Sequence, residues 1–380
     1  MDLSLNEAQQ MLKQGVEDFV AREATRDVIV DLAESEDGYS ESMWRTAAGI
    51  GWLGMAIPEQ YGGAGSGLTD VAVVFEALGY APVPGPFFSS GVLAPMVIQE
   101  AGSEEQKQQY LPRLAAGEAI GTLALTEPDW AWGADGVNMR ARSHNGGYVL
   151  DGTKLFVYDG HCADHLVTAV RTDDAEGVSL VVVDAATAGV SARRMEGFLS
   201  SESEVRFENV EVPASAMLGA PGSGEDALDR TLLKATPILC AYKVGGSQAV
   251  YDLSVEYSRE RKQFGQPIGR FQHVQNHIVQ LVNHLDAARW TTYETLWKLD
   301  SGKPGADVSM HLAKAVSSEA YVQATNYAHE VHAGVGVMRE YGLTLFTQLS
   351  RSLYHALGDP AYHQRQLGDL LVDYAPEAIV

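Results

Sequence analysis

The residues best suited to chemistry in this 380-residue chain cluster in one short run, Arg261-Lys262-Gln263-Phe264-Gly265-Gln266-Pro267-Ile268-Gly269-Arg270-Phe271. A helix that carries an arginine to its last turn, breaks at Gly265 and restarts at Phe271 holds more than a turn requires, because the turn needs only the glycine. Arg259, Arg261, Lys262 and Arg270 together make a local basic patch of the kind an anionic ligand would need. A solvated basic helix end is the plainer use of the same residues. Just beyond, His273 and His277 stand i,i+4 on one helix, which is metal-ligand spacing. HVQNH lacks the acid of a metalloprotease motif, so these two are expected at an interface or on the surface, and no metal site is expected. Near the C-terminus, Asp359-Pro360 offers a carboxylate that could take a proton, although the same pair is an N-cap followed by an N1 proline.

The elements that must position these groups follow from periodicity. Residues 1–120 are expected to form an N-terminal helical domain. Met11, Val16, Phe19 and Val20 fall near helical spacing, and Trp44, Ile50, Trp52 and Leu53 suggest a second apolar surface. Asp70 is placed to cap the helix VAVVFEALGY, and SEEQKQQYLPRLAAGE predicts a short helix ended by glycine. From Gly121 the period shortens. GTLALT, GYVLDGTKLFV, HLVTAVRT, VSLVVVDA and SEVRFENVEV predict a middle β-domain, barrel or sandwich, over 121–220. Over 221–380 the helical period returns as a bundle of long helices. Phe271, Val274, Ile278, Leu281 and Leu285 make one stripe, and Val316, Ala320, Tyr327 and Val331 another, with Lys303-Pro304-Gly305 between them. The fold class is therefore α+β multidomain, in the order helices, β-domain, helical bundle.

A net charge of −23 disfavours nucleic acid as a partner. Cys162 and Cys240 are too far apart for CxxC chemistry, the first residues are polar, and no apolar run approaches a membrane span. A cytoplasmic setting without membrane is expected.

With that layout in place, AIPEQYGG (56–63), LALTEP (123–128), LDGTK (150–154) and RKQFGQPIGRFQHVQ (261–275) resemble the landmarks of the acyl-CoA dehydrogenase family, in the family's order and over nearly the whole chain. The resemblance implies a flavoprotein that uses FAD to desaturate an acyl-CoA thioester, a tetramer, and electron-transfer flavoprotein or a similar acceptor. It implies that Arg261, Gln263 and Phe264 contact the ADP part of a neighbouring subunit's FAD. A guanidinium fork suits pyrophosphate oxygens, and Phe264 would wall the adenine or ribose. It also implies that Thr126, with the backbone at Leu125, bonds the flavin ring and that Phe156 faces it. Strand alternation would put Phe156 and Tyr158 on one face, where Tyr158 is large for a threonine position. The loop after Pro128 departs from the family and carries Trp130 and Trp132, which are expected as core anchors rather than an acyl wall.

The family's α-proton base is harder to find. The resemblance places Gly358 at one base position and Ala235 at the other. Asp359, one residue along, and Tyr242, where steroid-degrading relatives carry an acid, are weak substitutes. Asp229 and Glu225 lie further upstream. Where the family has glutamine and two glycines to hold the pyrophosphate, the chain has Glu330, Ala333 and Gly334. A charged Glu330 about 5 Å from a pyrophosphate charge would cost roughly 3 kcal/mol at an effective dielectric of 20, which is over a hundredfold in affinity. These departures resemble the base-lacking subunit of steroid-degrading heterotetramers, in which a second acyl-CoA dehydrogenase-like chain carries the base. The alternatives are a homotetramer, a non-catalytic scaffold without its own FAD, and a redox-neutral or oxygen-using flavoenzyme on the same fold.

Overall fold

The first third is helical, as its spacing predicts: α1 (Glu7–Glu23), α2 (Arg26–Glu34), α3 (Glu41–Ile50), α4 (Leu68–Tyr80), α5 (Ala94–Ala101) and α6 (Glu104–Ala115). The structure is a computed structural model that describes residues 3–129, 131–196 and 201–372. Capping residues set several starts. Asn6 and Gln9 satisfy each other's backbone N–H groups ahead of α1, and Ser103 and Gln106 do the same for α6. Strands β1 (Gly121–Ala124), β2 (Arg140–His144), β3 (Gly147–Tyr158), β4 (His165–Thr172), β5 (Ser179–Asp184), β6 (Val190–Arg194), β7 (Glu202–Pro213) and β8 (Met217–Leu218) follow. Then come α7 (Gly224–Glu260), the short pair β9 (Lys262–Gln263) and β10 (Gln266–Pro267), α8 (Gln272–Asp300), α9 (Ala306–His332), α10 (Leu343–His355) and α11 (Pro360–Leu371). The expected order of helices, sheet and helices holds.

The chain folds as two units. One comprises Met1–Asp31, Leu68–Val83 and Thr236–Val380. Within it α4 is buried from Val71 to Gly79, and Ala72 packs with Ala241 of α7 and with Tyr293 and Leu296 of α8. A second cluster joins Val244, Leu285, Ala288 and Ala320, so the α8 and α9 stripes meet as their spacing predicts. The other unit comprises Leu32–Gly67 and Pro84–Ala235. Its sheet runs β6-β7-β3-β2-β4-β5-β8, with β1 parallel beside β4. Leu150, Leu166, Val167, Val181 and Val183 form a fully buried strand core there.

Some expectations fail for identifiable reasons. Met11 and Ile50 keep helical spacing yet are mostly exposed. Asp70 does not cap α4, which starts two residues before it. The orphan N–H groups of Leu68 and Thr69 are bonded instead by the Asp300 carboxylate, at 2.8 and 2.9 Å, and Asp70 accepts from Gln9 Nε2. Trp132 is half-buried rather than a core anchor, and Trp130 lies outside the described residues. No described helix is long and apolar enough to cross a membrane.

Candidate functional site

In the sheet-bearing unit, the segment after β1 is held by a buried ion pair. Lys154 Nζ lies 2.7 Å from Glu127 Oε1 and 3.1 Å from the Leu125 carbonyl. Glu127 also accepts from the backbone N–H groups of Asn138 and Met139. Burial pushes the Lys154 ammonium down to about 8, with Glu127 opposing the fall. The Leu155 N–H donates to the Thr126 carbonyl at 2.8 Å. Both carbonyls are thus tied down, and among the described residues the half-buried Thr126 hydroxyl makes no hydrogen bond. Two residues further along β3, the register against β7 shifts between Lys154 and Val157, and Phe156 takes a left-handed φ of 54°. The bulge interrupts the simple alternation expected of Phe156 and Tyr158. Tyr158 meets Phe88 edge-on, with ring centroids 6.1 Å apart. Its hydroxyl is buried with no partner among the described residues, and burial holds it well above the usual phenol range. The large side chain is therefore absorbed inside the protein.

In the bundle unit, the basic run forms a two-residue hairpin. Gln263 pairs with Gln266 and Lys262 with Pro267, while Phe264 and Gly265 both have positive φ, at 51° and 79°. That is the backbone of a type I′ turn. The Arg261 backbone is fixed at both ends, donating to Tyr257 and accepting from Ile268. Its guanidinium is exposed and makes no ion pair among the described residues. The Phe264 ring is 92% exposed and meets Phe271 edge-on. Glu330 is exposed near the end of α9. Ala333 then adopts φ 49° and ψ −133°, a conformation suited to glycine, beside an exposed Gly334. His273 is exposed, while His277 tilts against Tyr327, and no metal-binding cluster occurs among the described residues.

The proposed base positions hold no carboxylate. Ala235 is wholly buried. Gly358 has φ 106°, and a Cβ there would sit 2.6 Å from His363 Nε2 and 2.7 Å from Tyr362 Cδ1, so a side chain is excluded without rebuilding the loop. Asp359 accepts from the Tyr362 N–H at 2.6 Å and caps α11 ahead of Pro360, the structural use of that pair. Tyr242 is raised above the phenol range by burial, and its carbonyl presses on Gly79 of α4. In the sheet-bearing unit, burial and neighbouring Glu225, Asp226 and Asp135 hold Asp229 above its usual range. Sequence reasoning missed Lys314 and His363. Lys314 Nζ donates to the Gly358 carbonyl at 2.6 Å, and the His363 Nε2–H to that of Leu357 at 3.0 Å. The available signal was a lysine inside the small, apolar run LAKAV.

The N-terminal, middle and C-terminal domain models of acyl-CoA dehydrogenase match residues 6–118, 122–210 and 222–371. The probable acyl-CoA dehydrogenase YngJ of Bacillus subtilis (strain 168) is 33% identical, over 90% of this chain and 92% of the relative. The chain belongs to the acyl-CoA dehydrogenase family. Among solved structures, the ChsE4-ChsE5 complex from Mycobacterium tuberculosis matches with a TM-score of 0.90 and 26% identity, over 99% of this chain and 100% of that one. PigA with FAD and proline matches with a TM-score of 0.90 and 27% identity, over 98% and 99%. Acyl-CoA dehydrogenases are FAD-dependent oxidoreductases, so FAD is the group against which the residues must be tested. They fit it: the Thr126 hydroxyl has no partner among the described residues, the Arg261 guanidinium is an exposed fork of donors, and Phe264 is an uncovered aromatic wall.

Proposed function

We propose that this chain is a subunit of an FAD-dependent acyl-CoA dehydrogenase and completes active sites in an assembly with a second, base-bearing chain of the same family. The observation that carries this reading is the pairing of an intact, exposed Arg261-Gln263-Phe264 arm with base positions that hold no carboxylate, at Ala235 and Gly358. FAD, when bound, supplies the hydride acceptor for α,β-desaturation of an acyl thioester. The residues of this chain bind and orient. Arg261 would fork its donors onto the pyrophosphate of a neighbour's cofactor, Gln263 would add an amide donor, and Phe264 would offer an apolar wall. Leu125 and Thr126, fixed by Glu127 and Lys154, address the flavin of the chain's own site, with Phe156 beside it. In the bundle unit, Glu330 and Ala333 disfavour a pyrophosphate at the end of α9. A carboxylate on the other chain would take the α-proton, and an electron-transfer flavoprotein or similar carrier would take the electrons. The likeness to the ChsE4-ChsE5 complex supports a two-chain assembly. The exposed Glu330 also favours a second reading, a scaffold whose own site holds no FAD.

Purifying the chain alone and together with a glutamate-bearing family member encoded beside it is the test. Visible absorbance would report FAD, and dye reduction under anaerobic acyl-CoA would report turnover. The expected result is little or no turnover alone and a yellow, active complex together. Full dehydrogenation by the single chain would overturn the proposal. A chain that is colourless alone, and whose yellow, active complex holds FAD only in the partner's sites, would select the scaffold reading.

A further inference from the structure

Two lysines are sealed inside the bundle unit. Lys243 of α7 and Lys314 of α9 are 1% and 0% exposed. Both amines converge on one hydroxyl: Ser318 Oγ lies 2.8 Å from Lys243 Nζ and 3.0 Å from Lys314 Nζ. Neither makes an ion pair among the described residues. Buried charge without a carboxylate is rare, because desolvation is uncompensated. Two adjacent ammonium groups would add repulsion to that penalty.

Lys314 also touches a strained loop. Lys314 Nζ donates to the Gly358 carbonyl at 2.6 Å and approaches that of Tyr354 at 3.4 Å. Leu357 and Gly358 both have positive φ, 56° and 106°. The His363 Nε2–H holds the Leu357 carbonyl, and His363 Nδ1 is 2.8 Å from His311 Nδ1. With Nε2 donating and burial holding the ring neutral, His363 Nδ1 accepts from the His311 Nδ1–H. Two consecutive carbonyls of one left-handed turn are thus drawn inward by one amine and one imidazole.

We propose that Lys243 and Lys314 share a single proton across Ser318 and clamp the Ala356–Asp359 loop, and that uptake of a second proton releases it. The titratable groups facing the pair are Cys240 on α7, Asp359 at the loop end, and His311 and His363 from α9 and α11. Asp359 is the one carboxylate among these and is engaged in capping α11. Burial pushes Lys243 down to about 8 and, with Lys243 beside it, puts Lys314 well below the usual lysine range. The folded state then binds fewer protons than the unfolded state both below about pH 8, where Lys314 stays neutral, and from there up to the ordinary lysine value of about 10.4, so stability rises with pH across that range. Further acidification loads the second amine and strains the clamp.

The test uses the full chain and does not depend on turnover, so it is separable from the proposed activity. Thermal midpoints from pH 6 to 10 are compared for wild type and Lys243→Met. The variant should be the more stable at pH 7, with the difference shrinking toward pH 10. Hydrogen exchange over Tyr354–Asp359, read as the wild-type to variant ratio at each pH, should rise by about threefold or more on acidification from pH 8 to 5. A constant midpoint offset and a flat ratio would overturn the proposal. If Lys243→Met does not fold, Ser318→Ala serves. Loss of the shared acceptor should lower the midpoint more at pH 6 than at pH 10, and an equal loss at both would refute the shared proton.

Discussion

Ala333 occupies backbone that an L side chain rarely adopts, and it does so at the mouth of α9 beside Glu330 and Gly334. Such a conformation costs about 1–3 kcal/mol, part of which glycine gives back through the freedom of its unfolded chain. Ala333→Gly should therefore stabilise the protein by about 1 kcal/mol, read as a higher urea midpoint with an unchanged slope. A lower midpoint would mean the methyl packs where the backbone geometry says it should not. At this scale the sequence was informative where one residue's chemistry is used locally. Asp359-Pro360 was legible as a cap because both signals act within three residues. Tyr158 was not, because its direction depends on a bulge that period-2 reasoning cannot see. Nor was the Lys243-Lys314 pair, since a lysine in a sequence looks solvated until a neighbouring helix covers it.

Elements were more legible than residues. The α8 and α9 stripes meet as their spacing requires, and the short Val-, Leu- and Thr-rich runs form the sheet. The start of α4 was misassigned because its cap comes from the last residue of α8, Asp300, far along the chain. A carboxylate that binds two orphan N–H groups and the Thr69 hydroxyl stabilises the helix end through charge as well as hydrogen bonding. Asp300→Ala should cost about 1–2 kcal/mol in equilibrium denaturation, and Asp300→Asn should recover part of it. Equal losses in the two variants would assign the effect to charge alone. Asp70→Ala, by contrast, removes only a bond to Gln9 and should leave the α4 start intact.

For the whole molecule, the proposed docking of the exposed arm on a neighbour's FAD would make cofactor affinity a property of the assembly. Arg261 has no partner to lose within its own subunit among the described residues, so its removal should spare monomer stability. If it forks onto a neighbour's pyrophosphate, Arg261→Ala should weaken FAD binding by about 10–150-fold, the loss of roughly 1.5–3 kcal/mol of charge-assisted bonding. Titration of apoprotein by flavin fluorescence checks this, and an unchanged dissociation constant would remove the arm from the site. This scale was legible only through the family resemblance, because no residue spacing within one chain encodes what a second chain brings.

The wiring of the bundle unit also has a consequence for how the protein is made. It is assembled from three stretches, and α4, buried from Val71 to Gly79, packs on α7 and α8, which belong to the last of them. Residues 84–235 must leave the ribosome before those partners exist. At about 5–20 residues per second the nascent chain carries the α7- and α8-facing side of that helix uncovered for about 10–30 s. A holdase that engages the emerging polypeptide between those two moments would protect it, and slow translation of the sheet-bearing stretch would lengthen the exposure.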